Sequence, residues 1–407
     1  MKTQKAEGEK QTGLRPPRVA ARLLPIAFCL LPACGAAPAP PALPGPPPVV
    51  FSAPPLPPSP PPSALPTPPP PPISAPAVAP PPPPPSPPPT LARGTGTAAD
   101  KALTEGDAAF ARGDFKAAEK AYAAAEALDR KDPAPIVGKI RARVAAAGIP
   151  TDFGAAPKDK TLLAAVKELG RALKLDAAYA PAHLELGRAH LVLGDATQAL
   201  SELQRAVELS PNDAEAHSAL GVAHLAGGRV SDALRELSRS AELAPGDVDR
   251  HTNLGTALLA AGKADEAAKA FGTALRLSPN DARINNGLGT ALLFANDPAR
   301  AIGYLEVAVA ADPQRASYRS NLGYAHHLKG DLPKAMGLYR EALRLDPKHG
   351  SAWINLGNAL AQAGKYQDAR DAYQRAAAID PGDPRVKAVL QELEALEKSG
   401  APPPKRP

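Results

Sequence analysis

A Leu-Gly pair returns every 34 residues along this chain: Leu186-Gly187, Leu220-Gly221, Leu254-Gly255, Leu288-Gly289, Leu322-Gly323 and Leu356-Gly357. Other columns keep the same step. Alanine recurs at Ala199, Ala233, Ala267, Ala301, Ala335 and Ala369, and a large residue follows four later at Leu203, Leu237, Phe271, Leu305, Tyr339 and Tyr373. A small residue comes three after that, from Ala206 to Ala376, and proline closes each unit, from Pro211 to Pro381. Spacings of three and four place these residues on one helical face. The small residues let paired helices approach; the large ones fill the space between. Glycine at positions such as Gly194 and Gly228 supplies the positive φ that ends a first helix. The closing proline biases its predecessor away from α and stops the second helix. The period thus predicts two antiparallel helices per unit, stacked into an array.

This pattern resembles the tetratricopeptide repeat (TPR) family. Six contiguous units cover 180–383, and a further unit fits 99–132 through Gly106, Gly113, Ala118, Tyr122 and Ala125, with Arg130 where proline would stand. Between them a unit is split. Residues 133–148 fit a first helix with Gly138, and 161–176 fit a second helix with Ala165, Leu169 and Ala172, leaving an enlarged loop near 149–160. Such a loop costs little, and a neutral surface insertion is its plain reading. Residues 384–399 read as a capping helix and 400–407 as a disordered tail. The resemblance implies an all-α fold, a right-handed superhelical solenoid of about eight helix-turn-helix units over 99–383 plus the cap.

In that family the first helices line a concave wall. The resemblance therefore implies a protein-binding groove that includes Arg188, Asn253, Thr256, Thr290, Phe294, Asn321, Tyr324, Asn355 and Asn358. Asn253, Asn321 and Asn355 resemble the family's asparagine ladder, in which amides bond to the backbone of an extended partner; an amide both donates and accepts. The wall has little positive charge beyond Arg188 and Arg283, so a clamp for a terminal carboxylate is not expected. Extended or helical segments of other proteins are the expected partners. His183, His217 and His251 share a column with Trp353 and read as packing residues. His183 and His190 are seven apart, about 10.5 Å along a helix, too far to share a metal.

The rest of the chain is read from composition. Seven Lys/Arg and two acids lie in 1–98, so the net +6 charge belongs mostly to the leader, and a nucleic-acid partner is not expected. No phosphate loop, dinucleotide fingerprint, metalloprotease motif or nucleophile elbow occurs. The chain is therefore read as a non-enzyme without cofactor or metal. Both cysteines, Cys29 and Cys34, sit at an apolar run over 23–33 that follows a basic stretch, the layout of an export signal. Leu31-Pro32-Ala33-Cys34 resembles the bacterial lipoprotein box, which implies a signal peptide over 1–33 and lipidation of Cys34. The following residues to 98 form a linker with thirty prolines between 38 and 89, expected to be disordered, extended and semi-rigid. This general plan resembles TPR outer-membrane lipoproteins, pilotin-like or cell-wall scaffolds. The leading expectation is a lipid-anchored scaffold of the bacterial cell envelope, at the outer membrane facing the periplasm. A soluble cytosolic adaptor and a substrate-recruiting subunit for a separate modifying enzyme, such as a glycosyltransferase, stand as alternatives.

Overall fold

The computed structural model describes residues 90–149 and 153–399; the leader, Cys34 and the proline tract lie outside them. Among the described residues there are seventeen helices and no strand. Sixteen pair in order into eight units. The first two units are α1 (Ala98–Ala111) with α2 (Phe115–Leu128) and α3 (Ala134–Ala146) with α4 (Lys160–Leu175). The middle units are α5 (Ala180–Leu193) with α6 (Ala196–Leu209), α7 (Ala214–Ala226) with α8 (Val230–Leu243), and α9 (Val248–Ala260) with α10 (Ala264–Leu277). The last are α11 (Ala282–Phe294) with α12 (Pro298–Ala311), α13 (Ala316–Leu328) with α14 (Leu332–Leu345), and α15 (Gly350–Gln362) with α16 (Tyr366–Ile379). The final helix, α17 (Pro384–Ser399), packs on α16 through Val386, Val389 and Leu393. Each first helix touches the first helix of the next unit, whereas among the described residues no second helix touches another second helix. The first helices therefore line the inner wall of the solenoid and the second helices its outer one.

The Leu-Gly ruler is explained by one contact. A Cβ placed on Gly289 would lie 2.6 Å from Leu305 Cγ, and one on Gly187 would lie 2.5 Å from Leu203 Cγ. The ruler glycine is where the large residue of the second helix lies against the backbone of the first. Leu203, Leu237, Phe271, Leu305 and Tyr339 are all under 2% exposed, so each unit has a side chain wholly removed from water at its centre. A second column, two residues before the ruler, meets the large residue of the preceding unit. Gly287 would place a Cβ 2.5 Å from a ring carbon of Phe271, and Gly138 would place one 2.6 Å from the ring of Tyr122. An aromatic ring at this place needs glycine on the next unit when it lies that close.

That register resolves the split unit. Gly138 meets Tyr122 as Gly287 meets Phe271, so Gly138 holds the column two before the ruler. The ruler place in α3 belongs to Ile140, which is 3% exposed. A branched side chain there keeps α4 from closing on α3, and α3 leans on α2 instead. A cleft of ≈ 50 Å³ remains between Ile140 and Val144 on one side and Ala164 and Ala165 on the other. The connecting loop turns away to brace the next unit. Gly154 N–H donates to Leu191 C=O at 2.9 Å, sharing it with Gly194 N–H, and Ala156 N–H donates to Val192 C=O at 3.1 Å, so the loop is bonded to the last turn of α5. Phe153, Ile149 and Ala156 pack against the core of the third unit. The loop is a brace within the fold, which is more than a neutral insertion would be.

The histidine column also has a fixed task. His217 Nε2–H donates to Pro211 C=O at 3.0 Å, His251 to Pro245 at 2.9 Å, Asn285 to Pro279 at 3.0 Å, and Trp353 Nε1–H to Pro347 at 2.9 Å. His183 reaches Ala177 and Arg319 reaches Pro313 in the same way. In every case the acceptor lies six residues earlier, at the turn that joins one unit to the next. Four different kinds of side chain are tolerated because the column asks only for a donor of the right reach. The first helices end alike: Gly194 has φ 87°, and Asn296 takes the same place at φ 59° where the glycine is missing.

The ruler contact generates a paired prediction. Gly289→Ala should lower the stability of its region by about 1–3 kcal/mol through overpacking against Leu305. Gly303→Ala, at an exposed position of α12 with nothing within 4 Å of its Cβ position, should raise it by about 0.4–1 kcal/mol. Urea unfolding midpoints, followed by circular dichroism, should move in opposite directions. Equal shifts would remove the close-approach explanation.

Candidate functional site

The inner wall carries a row of polar side chains on α7, α9, α11, α13 and α15. The predicted ladder residues are at its centre, and two of them are already engaged. Asn253 Nδ2 donates to Ser218 Oγ at 3.0 Å, and Asn321 Nδ2 donates to Asn286 Oδ1 at 2.9 Å. Both bonds run between units, from one position to the position 35 residues earlier. Asn321 is 4% exposed, so it is a rivet between units and not a surface contact as expected from sequence. Thr290 is wholly buried and donates to Asn286 C=O on its own helix at 2.8 Å, so it too is withdrawn from any partner. Asn286, the acceptor of one rivet, was not singled out in the sequence. A polar residue 35 positions before a predicted ladder asparagine was the signal available.

The third ladder position is different. By the same spacing Asn355 should meet Ser320. Ser320 Oγ is buried and has no hydrogen-bond partner among the described residues, so the Asn355 amide, in a residue 5% exposed, makes no bond to it. A buried hydroxyl without a partner is costly. Close by in the register, Asn358 accepts from Tyr373 OH at 2.8 Å through Oδ1, which fixes the amide and leaves its NH₂ without a partner among the described residues. Tyr324 is half-buried and stands edge-on to His327, ring centroids 6.3 Å apart. His327 bonds Gln362 of the next unit at 2.7 Å. Burial holds the His327 pKa below the usual histidine range, against the pull of that bond. Burial likewise pushes the Tyr324 phenol up.

Toward the other end the wall is ionic. Arg141 Nε lies 2.6 Å from Glu185, Arg188 lies 3.7 Å from Glu185 and 2.5 Å from Glu215. Burial would push the Glu215 carboxyl up, but Arg188, Arg141 and Arg250 together hold it below the usual range. Arg188 is exposed, as expected, yet its charge is balanced on both sides. Arg283 is paired in the same manner with Asp249 at 3.2 Å and Asp281 at 3.3 Å. The remaining expected residues are half-buried. Thr256 bonds Thr252 C=O at 3.0 Å on its own helix, and Phe294 packs against the core of the sixth unit. Among the described residues no helix is long and apolar enough to cross a membrane, and no group of His, Cys, Asp and Glu is placed to hold a metal.

His224 Nδ1, His326 Nε2 and His327 Nδ1 are all buried without partners, and of the three residues His327 alone makes a side-chain hydrogen bond through its other nitrogen. His224 and His326 occupy the column that holds Leu258, Leu292 and Leu360 in other units. Burial, with help from Arg229 beside His224 and Lys334 beside His326, holds both pKa values below the usual 6.5. The unfolded chain then binds more protons than the folded one between those depressed values and 6.5, so stability falls as pH drops below about 6.5. His224→Leu with His326→Leu should raise the thermal midpoint at pH 5 more than at pH 7.5 and so flatten its pH dependence. An unchanged slope would show that these two imidazoles do not govern acid sensitivity.

Comparison with known proteins places the array. A family model described as tetratricopeptide repeat matches residues 162–214, 184–248, 252–316 and 286–349, and a second of the same description matches 327–393. Together they account for more than half of the chain. No curated protein matches it. Among solved structures, one chain of the APC/C hetero-tetramer Cut9–Hcn1 is similar with TM-score 0.56 and 15% identity, over 74% of this chain. This chain spans 56% of that one. The Pseudomonas aeruginosa protein PilF is 20% identical over 53% of this chain and 98% of its own, with TM-score 0.44. MamA from Desulfovibrio magneticus RS-1 is 25% identical over 42% of this chain and 96% of its own, with TM-score 0.37. The likeness to Cut9–Hcn1 is one of fold.

Proposed function

The chain belongs to the tetratricopeptide repeat family, and from that premise we propose that it is a protein-binding scaffold whose working groove lies in its last two units. One observation carries this reading. Asn253 and Asn321 are closed into inter-unit bonds, while Asn355, in the same column, makes no such bond to Ser320 and stands one turn from Asn358, whose NH₂ is left open when its Oδ1 accepts from Tyr373. Two amide donors on one helix face suit the carbonyls of an extended segment, whose spacing along a strand is set by the backbone and not by its sequence. Tyr324 and Leu328 add a half-buried apolar rim for the segment's side chains. The groove is therefore expected to take an extended protein segment with little demand on its sequence.

The scaffold is, in this proposal, exported and lipid-anchored in a bacterial cell envelope, at the outer membrane facing the periplasm. The support is the sequence Leu31-Pro32-Ala33-Cys34 after a basic and apolar leader. Stable anchoring takes more than one acyl chain, since each buried CH₂ contributes only about 0.8 kcal/mol. The uncharged tract from Cys34 to Ala92 would then hold the array away from the bilayer, up to roughly 160 Å at about 3.1 Å per residue for an extended polyproline chain over its richest part.

Each half has its own test. Asn355→Ala with Asn358→Ala should reduce capture of partner proteins by about tenfold in cross-linking from intact cells, without loss of helicity. Unchanged capture would move the site elsewhere. For the anchor, the full chain should incorporate labelled palmitate and sediment with membranes, and Cys34→Ala should lose both. A wild type that stays soluble and unlabelled would end the anchor reading while leaving the groove untouched.

A further inference from the structure

The residues just before the first helix lie in the groove. Residues 90–97 belong, by composition, to the end of the linker, yet they are packed along the inner wall of the first units. Leu91 N–H and Ala92 N–H both donate to Asp107 Oδ2, at 2.8 and 3.0 Å. Arg93 N–H and Gly96 N–H donate to the two oxygens of Asp100, at 2.6 and 3.2 Å. The Arg93 N–H, the strongest influence on it, holds the Asp100 carboxyl below its usual range. Leu91 is 3% exposed and joins the core with Leu103, Tyr122 and Ile136. The Arg93 side chain crosses two units. Its Nη2 donates to Asp132 at 2.9 Å, at the head of α3, and its guanidinium lies 5.6 Å from the ring centroid of Tyr179, at the head of α5.

Each of these contacts is of a kind a separate chain could make. Backbone donors meet carboxylates, one apolar side chain enters a pocket, and one guanidinium meets an acid and a ring. The site is also built and not merely filled. Asp107 Oδ1 accepts from the OH of Tyr122 at 2.8 Å, which leaves Oδ2 aimed at the incoming N–H groups. Between the segment and α1 the chain turns at Gly94 and Gly96, whose φ values are 71° and 72°, with nothing within 4 Å of either Cβ position. The tether is thus a two-glycine hinge, and the Arg93 side chain is half exposed.

We infer that the first three units form a second protein-binding site, specific for an extended segment with an apolar residue two before an arginine. Leu91-Ala92-Arg93 is its tethered occupant, and a partner segment of that pattern exchanges with it. The tethered copy competes at an effective concentration on the order of millimolar, so a partner segment must bind well or arrive in several copies to displace it. This site shares no residue with the groove of the last two units, and either can fail without the other.

The test uses the full chain and a fluorescein-labelled peptide of residues 88–97. Leu91→Asp with Arg93→Ala should free the site, and fluorescence anisotropy should then show peptide binding at least tenfold tighter than to wild type. Adding Asp107→Asn in the freed background should weaken that binding at least tenfold, with helicity unchanged. In wild type, excess peptide should speed hydrogen exchange of the Leu91 and Ala92 amides, and a peptide with its own leucine changed to aspartate should not. Absence of binding to the freed chain, or binding indifferent to Asp107, would overturn the inference. Equal binding to wild type and freed chain would also overturn it, since the tethered segment would then not be the competitor.

Discussion

Everything in this solenoid depends on a side chain lying directly on backbone. Leu305 against Gly289 is the clearest case, and Leu203, Leu237, Phe271, Tyr339 and Tyr373 repeat it. The contact is short because no Cβ intervenes, so each of these pairs of helices closes to a separation that longer residues, such as Ile140 in α3, forbid. An interior packed to that density leaves little slack, and errors of one methyl group are felt. The same contact sets the geometry between units, because the large residue also faces the first helix of its successor. Once the glycine column is fixed, the stacking and the inner wall follow from repetition.

The polar row of the groove answers to the same constraint. Position 287 lies in the column of Asn253, Asn321 and Asn355, yet it is glycine. The reason lies behind it: a Cβ there would come within 2.5 Å of the Phe271 ring. Where the large residue is Leu237 or Leu305, the next unit carries asparagine, and that asparagine is bonded to the unit before. The row is therefore partly a by-product of core packing. The one rivet of the row left open lies at Asn355 and Ser320, where the proposed groove is.

The fold was largely legible in the sequence because its causes are local and periodic. Ala-x-x-x-Leu-x-x-Ala, a Leu-Gly pair and a closing proline state helix faces and helix ends directly. The split unit was legible as an interruption but not in register, since Gly138 imitates a ruler glycine and only its contact with Tyr122 shows that Ile140 has that place. The groove was less legible. Whether Asn321 is a ligand group or a rivet depends on Asn286, 35 residues earlier, which accepts its amide at 2.9 Å. The docked segment at 90–97 has no period at all. Leu91 is merely the first large apolar residue after a tract of proline, and its pocket is assembled from three helices that sequence spacing does not join.

The two ends of the inner wall share one device with opposite polarity. Asp107 and Asn358 occupy the same column, and each has an oxygen held by a tyrosine hydroxyl fifteen residues later, Tyr122 and Tyr373, at 2.8 Å. The tyrosine does two jobs at once. Its ring lies on the glycines, and its hydroxyl fixes the groove residue that faces outward. In the first unit the fixed group is a carboxylate, which can only accept, and it takes backbone N–H groups. In the eighth it is an amide whose remaining function is to donate, and it suits backbone carbonyls. An extended chain offers both along its length, so one packing motif, with a single change from acid to amide, underlies the two proposed sites, which would read opposite sides of a peptide backbone.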